Sequence, residues 1–384
     1  MLVFTLLLLS SAVLADTPPS IPAGPWVVPD QEKRLDRLMT NEEVEERLFD
    51  IEARSKGRLE VEQIGTSATG WPIYVAKFGK ADDEDKVKVF IETQIHGGEP
   101  YGTEAVMQLI QLLATSGNKH VKTILDNVTV WIIPRLNLDG AAFEVDGKLV
   151  MRRTNIQDWT PEEWGLAVDA PAPWYWRKWG VPGYDINRDF HPDLDFVLGP
   201  DTAHQPPGHR TEPGFYVTPE GRASRDVFKA LQPDVFIDHH HRGSNTVSEE
   251  DISLCTLQII AQVVDEVQYP LDPAVLRLSK QINSYVYTKL NELGNSPFGG
   301  ITKYPTVNLP GTALGSYSLN GAAIMLYEVR GTGQKSSGML IRQSYIGLCE
   351  TLLGLATGEI FDVDPTIYDE VIPEAGPRIR WPHI

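Results

Sequence analysis

Apolar and polar positions alternate in some stretches of this chain and run unbroken in others, and together they predict a series of strands and helices. Leu59-Glu60-Val61-Glu62-Gln63-Ile64-Gly65 repeats with a period of two, as expected of a strand with one wet face. Residues 71–78 read as its hairpin partner. Continuous apolar runs predict strands buried on both faces at 87–93, 128–133, 235–238 and 322–327. Helical spacing appears after Thr40, where Val44, Leu48 and Ile51 fall on one side and Thr40 with Glu43 fits a capping box. Ala105, Leu109, Leu112 and Leu113 line one face of a helix over about 101–114. A longer helix spans about 273–293, with Asp272 placed to cap it and Pro273 in its first turn. A last helix covers 345–355. Strands alternating with helices predict an α/β fold: one domain, with a mixed, largely parallel sheet flanked by helices on both faces.

The ends of the chain follow other patterns. The apolar run Met1-Leu2-Val3-Phe4-Thr5-Leu6-Leu7-Leu8-Leu9, followed by Val13-Leu14-Ala15, predicts a secretory signal peptide over 1–15 and an extracellular location. A core strand or an N-terminal anchor is the competing reading, but the run is too short to cross a bilayer. No other stretch approaches transmembrane length, so no membrane association is expected. Residues 16–38 open Pro-rich and polar, as a leader or linker. The folded domain is placed at 39–357, with 358–384 as a C-terminal extension.

Composition narrows the function classes. The chain has 384 residues, 42% hydrophobic and 22% charged, which is ordinary for a globular protein with a full core. Its net charge of −18 argues against a nucleic-acid partner, because phosphate binding needs clustered Lys and Arg. A monomer is expected. Cys255 and Cys349 are the only cysteines; they form one disulfide or stay as two buried thiols. Asn127-Val128-Thr129 is a glycosylation sequon at the start of a strand. Residues 157–182 carry Trp159, Trp164, Trp174, Trp176 and Trp179 with several prolines. They predict an ordered loop that either packs on the domain or walls a substrate cleft.

The candidate chemistry lies at strand ends. His96-Gly97-Gly98-Glu99 follows the strand at 87–93. A nitrogen donor and a carboxylate three residues apart can grip one divalent metal, and the glycines allow the sharp turn that brings them together. Asp238-His239-His240-His241 ends a second strand. Alternation puts Phe236, Asp238 and His240 on one face and His239 with His241 on the other. His240 is the expected third ligand and His239 the reserve. Glu328, at the end of a third buried run, can supply a base.

With these residues in place, the chain over about 59–355 resembles the zinc metallocarboxypeptidases of the carboxypeptidase A type. His96 and Glu99 match the family's His-x-x-Glu pair, and His240 its third zinc ligand. Asn137-Leu138-Asp139-Gly140 matches an Asn-Pro-Asp-Gly segment, with Leu for Pro. Met151-Arg152-Arg153-Thr154 matches the segment carrying an oxyanion-stabilising arginine, which implies Arg152, with Arg153 as the substitute. Tyr184-Asp185-Ile186-Asn187-Arg188-Asp189-Phe190 resembles the segment that holds a substrate's C-terminal carboxylate. The likeness implies that Asn187 and Arg188 bind that carboxylate and that Asp185 orients His96. It also implies Glu328 as general acid/base and Tyr304, with Tyr317 as rival, as the tyrosine over the substrate terminus.

The resemblance therefore implies one zinc ion, peptide or protein C-termini as substrate, and hydrolysis of the last peptide bond. Two alternatives stand beside it. One is a zinc amidohydrolase or deacylase on the same fold, prompted by Gly98, where digestive members of the family carry arginine. The other is a non-catalytic binding relative, which the presence of His96, Glu99, His240 and Glu328 argues against. A Gly-x-Ser-x-Gly elbow and a His-Glu-x-x-His pair are both absent from the sequence.

Overall fold

The computed structural model describes residues 35–172, 175–202, 211–243, 245–292, 300–331 and 337–378. The expected signal peptide, most of the Pro-rich leader, Trp174 and the last residues of the C-terminal extension lie outside them.

An eight-stranded mixed sheet organises the domain. Its strands are β1 (Glu60–Thr66), β2 (Pro72–Phe78), β3 (Val87–Thr93), β4 (Val128–Ile133), β5 (Val235–Arg242), β6 (Leu257–Ile259), β7 (Ile301–Lys303) and β8 (Ala323–Arg330). Their spatial order is β1-β2-β4-β3-β5-β8-β6-β7. The centre, β4-β3-β5-β8, is parallel throughout. The hairpin β1-β2 joins it antiparallel at one edge, and β6 joins antiparallel at the other.

The longer helices are α1 (Asn41–Arg54), α2 (Tyr101–Thr115), α3 (Lys119–Asn127), α4 (Pro219–Leu231), α5 (Pro273–Glu292), α6 (Ala313–Leu319) and α7 (Ser337–Thr357). Alternate residues of the central strands face two separate cores. Val89, Ile91, Val130, Ile132, Val235 and Ile237 pack with side chains from α1, α2, α3, α5 and α7. Phe90, Trp131, Ile133, Phe236 and Leu326 pack with α4 and α6. Fully burying one such aliphatic or aromatic side chain stabilises the fold by roughly 1.5–3 kcal/mol. Continuous apolar strands are the expected outcome when both faces are covered.

Local signals read from the sequence appear as interactions. Thr40 caps α1: its Oγ1 accepts from Glu43 N (3.2 Å), while Glu43 Oε2 accepts from Thr40 N (2.8 Å). Asp272 Oδ1 accepts from Ala274 N (2.8 Å) at the start of α5. Some elements run longer than the pattern predicts. β5 continues through all three histidines to Arg242, so the ligand lies within the strand rather than beyond it. Glu328 likewise sits inside β8. α7 starts at Ser337, ahead of the expected position 345.

Cys255 and Cys349 are separate free thiols, which settles the disulfide alternative. Among the described residues, no helix is long and apolar enough to cross a membrane. Trp159 and Trp164 pack with Tyr184, Leu198, Phe215 and Val217 in a third, small core, and Trp179 stacks on Phe143 at 5.5 Å. These three tryptophans pack on the domain rather than line the cleft described below.

Candidate active site

His96 and Glu99 lie in the loop that leaves β3 at the C-terminal edge of the parallel strands, where open α/β sheets place their binding crevices. The loop is pressed against a helical turn at Leu138–Ala141. A Cβ at Gly97 would lie 2.2 Å from Gly140 C, so only glycine permits that approach. Asn137 locks the contact: its Nδ2 donates to Ile95 O (3.2 Å) and Arg153 O (3.0 Å), and its Oδ1 accepts from Gly140 N (2.8 Å). The Asn-Leu-Asp-Gly segment is thus a clamp between the His96 loop and the Arg153 segment. Gly98 is different. A Cβ there would meet nothing closer than Arg152 C at 3.9 Å.

Three donors converge. His96 Nδ1 lies 3.0 Å from Glu99 Oε1 and 3.1 Å from His240 Nδ1, and His240 Nδ1 lies 3.0 Å from Glu99 Oε2. Each ring turns its other nitrogen to a carboxylate. His96 Nε2 is 3.2 Å from Asp185 Oδ1, and His240 Nε2 is 2.7 Å from Asp238 Oδ2. Such carboxylates fix the Nε2–H tautomer. Both Nδ1 lone pairs then face each other and the Glu99 carboxylate. Acceptors this close repel one another unless a cation lies between them, and two imidazoles with one carboxylate suit zinc. The residues present therefore fit the expected metal.

The electrostatics show how strongly this cluster of carboxylates draws positive charge. Burial works to raise the Asp185 carboxyl, but Arg153 and His96 outweigh it and hold the group well below the usual carboxylate range. Burial works to lower the His240 imidazole, but Asp238 and Glu99 hold it well above its ordinary value. His239, the reserve ligand, points into the opposite core. Its Nε2 lies 2.8 Å from Ser344 Oγ, and burial pushes its pKa well down.

Glu328 is the Cα partner of His240 on the adjacent parallel strand, so the two side chains leave the same face of the sheet. Burial, together with the nearby Glu99 charge and against the pull of His240, pushes Glu328 up to about 7. It lines a cleft of about 480 Å³ together with His96, Glu99, Arg153, Arg188, His240 and Tyr304. The far wall of that cleft is Val263, Val307, Leu309, Leu314 and Leu326, with Thr312.

The expected position of Arg152 is overturned. Arg152 is 2% exposed and points away from the cleft. Its Nε donates to Thr154 Oγ1 (2.7 Å), its Nη atoms reach Val181 O, and its guanidinium lies over the Phe143 ring at 4.9 Å. Arg153, the substitute, enters the cleft instead. Its Nε donates to Asp185 Oδ2 (2.9 Å) and its Nη1 lies 3.3 Å from His96 Nδ1. Consecutive side chains in an irregular extended segment cannot both face one site. Met151, just before the pair, has a φ of +52°.

The remaining expected residues fall at the cleft with qualifications. Asn187 lines it, yet its Oδ1 accepts from Ala313 N (3.0 Å) and its Nδ2 lies 3.2 Å from His240 Nε2. It packs against the His240 ring as much as it faces the opening. Arg188 lines the cleft and donates to Asn187 O. Tyr304 also lines it, under the Arg242 guanidinium at 4.5 Å. Tyr317 is fully buried among Phe90, Phe190, Phe228 and Phe236 and takes no part. Asp189, where the family pattern has asparagine, is structural: it accepts from Val217 N, Thr218 N and Thr218 Oγ1 at the start of α4.

Asp238 has no role in the sequence reading. The signal was available, since alternation already put Asp238 and His240 on one face. A carboxylate two residues before a strand histidine, on the same face, is placed to hold it.

Comparison with known proteins agrees with this arrangement. Carboxypeptidase E of Caenorhabditis elegans is 26% identical over 163 residues, which is 41% of this chain and 30% of that protein. Carboxypeptidase A6 of Mus musculus is 26% identical over 167 residues, 43% of this chain and 36% of that protein. The matched stretches thus span about a third of those relatives. Among solved structures, carboxypeptidase A from Helicoverpa armigera superposes with a TM-score of 0.59 at 17% identity, covering 85% of this chain and 74% of that one. Bovine thrombin-activatable fibrinolysis inhibitor, solved with tick carboxypeptidase inhibitor, gives 0.56 at 16% identity, covering 86% and 99%. At such identities these structures establish the fold. Residues 44–334 match the family described as Peptidase_M14, zinc carboxypeptidase, and this chain belongs to that family.

Proposed function

We propose that this protein is a secreted, zinc-dependent carboxypeptidase that removes the C-terminal residue of peptides, working as a monomer. The observation that carries the reading is one cleft that brings together His96, Glu99 and His240, the buried Glu328, and the guanidinium groups of Arg153 and Arg188. The apolar run over 1–15 supports secretion.

His96 Nδ1, a Glu99 oxygen and His240 Nδ1 would hold the zinc. When bound, zinc supplies a water of lowered pKa and a polarised carbonyl. The chain's own residues do the rest. Glu328, held near neutrality by burial, takes a proton from the attacking water and delivers it to the leaving amine. Arg153 donates N–H groups to the oxygen of the tetrahedral intermediate. Arg188 binds the terminal carboxylate with parallel hydrogen bonds and sets the register that makes cleavage terminal. Tyr304 closes over the terminus.

The far wall also favours a side-chain class. Val263, Val307, Leu309, Leu314 and Leu326 offer no charge to pair a C-terminal Lys or Arg. Burying an uncompensated ammonium there would be costly. The preferred C-terminal residue is therefore aliphatic or aromatic. Amino-acid release from a peptide library varied at its last position tests this. Preference for Leu, Ile or Phe is expected; preference for Lys or Arg contradicts it.

A further inference from the structure

Behind His240 lies a chain of buried polar groups that the proposed chemistry does not use. Glu92 on β3 and Asp238 on β5 are Cα partners on neighbouring parallel strands. Their side chains leave the same face, and both residues are fully buried. Asp238 Oδ2 is committed to His240 Nε2 at 2.7 Å. Glu92 Oε2 accepts from Ser224 Oγ, and that hydroxyl lies 2.8 Å from Tyr317 OH. One oxygen remains on each acid. Glu92 Oε1 and Asp238 Oδ1 are both buried without a hydrogen-bond partner.

Neighbouring carboxyls in an apolar site do not both ionise. The two acids are not equivalent here. Asp238 must accept from His240 Nε2–H, because His240 Nδ1 faces Glu99. Two buried carboxyl oxygens can pair only if one carries a proton, and Glu92, which receives no ring N–H, is the one placed to carry it. Burial, followed by the Asp238 charge, pushes the Glu92 carboxyl up to about 8, in the same sense.

We propose that Glu92 is a positioning residue for the metal site: as a neutral carboxyl it donates Oε1–H to Asp238 Oδ1, and the Asp238 carboxylate so fixed holds His240. Tyr317, Ser224 and Glu92 then donate in turn towards Asp238, which also accepts from His240 Nε2–H on its other oxygen. Ser224 comes from α4 and Tyr317 from α6, so the series ties the ligand to both helices on that face of the sheet. Without the Glu92 proton, two acids would face each other and Asp238 would swing away from the ring. The inference rests on His240 as a zinc ligand.

The test compares Glu92→Gln with Glu92→Met by competing each protein's zinc against a chelator. Gln keeps a donor for Asp238 and an acceptor for Ser224, so its zinc affinity stays at the wild-type value. Met fills the space without a donor, and affinity falls by about 10–100-fold, the usual effect of losing an outer partner of a ligand. A Met variant that binds zinc like the wild type, or a Gln variant as weak as Met, overturns the proposal. The infrared difference spectrum of wild type minus Glu92→Gln needs neither metal nor the Met variant to fold. It contains a protonated-carboxyl C=O band at neutral pH if Glu92 holds the proton, and lacks it if the proposal is wrong. Wild-type protein without zinc affinity would instead sink the metal reading.

Discussion

Exchanging the roles of two adjacent arginines has a measurable consequence. Arg153→Ala removes the guanidinium that faces the cleft. Loss of one preorganised donor to a developing oxyanion costs about 10²–10³ in kcat, or roughly 3–4 kcal/mol. Its cost to folding comes from the ion pair with Asp185, which is screened on the Arg153 side, 42% exposed, while the buried Asp185 keeps its contact with His96 Nε2. Arg152→Ala does the reverse. It removes a buried guanidinium with bonds to Thr154 and Val181 and a ring contact with Phe143. Those losses sum to about 2–4 kcal/mol of stability, while kcat below the melting temperature stays within a few-fold. Peptide hydrolysis and thermal unfolding on both variants give four numbers. A loss of kcat in Arg152→Ala, with Arg153→Ala active, refutes the assignment.

Three further outcomes are expected. Glu328→Gln keeps zinc and loses hydrolysis by several orders of magnitude; near-normal turnover in that variant removes Glu328 as the base. Arg188→Ala lowers kcat/KM far more on substrates with a free C-terminus than on amidated ones, and equal losses on both favour a deacylase. The pH profile follows from Glu328, which must be ionised to accept a proton. Since burial holds it up to about 7 and a bound cation draws it down, kcat/KM falls on acidification with a midpoint at or below about pH 7. A profile with no acidic fall at any pH where the protein stays folded contradicts that role.

Much of the site was legible in the sequence because its ligands are tied to strand geometry. The period of two put His240 and His239 on opposite faces, and the structure puts His239 in the opposite core beside Ser344. His96 and Glu99 were readable because glycines mark the turn between them. The choice between Arg152 and Arg153 was not readable. The two are adjacent, of one residue type and in a segment without regular structure, so no period separates them. Glu92 was hidden for another reason: its partnership with Asp238 exists only through strand register between segments far apart in sequence. In the fold, β6 and β7 escaped because three residues are too few to show a period. α6 escaped because Gly315, Ser316 and Ser318 weaken its helical signature. α4 was legible too, with Thr218 as cap, Pro219 in the first turn and Ala223, Val227, Phe228 and Leu231 at helical spacing, although it was not among the expected elements.

The account turns on a zinc ion at His96, Glu99 and His240 cutting the last peptide bond. The direct measurement is mass spectrometry of a Leu-ending peptide incubated with the protein, after chelator treatment and again after zinc is restored. One-residue shortening that stops with the chelator, returns with about one zinc per chain, and spares the amidated peptide is the predicted result. Shortening that persists without metal, or no shortening with zinc fully bound, contradicts the account.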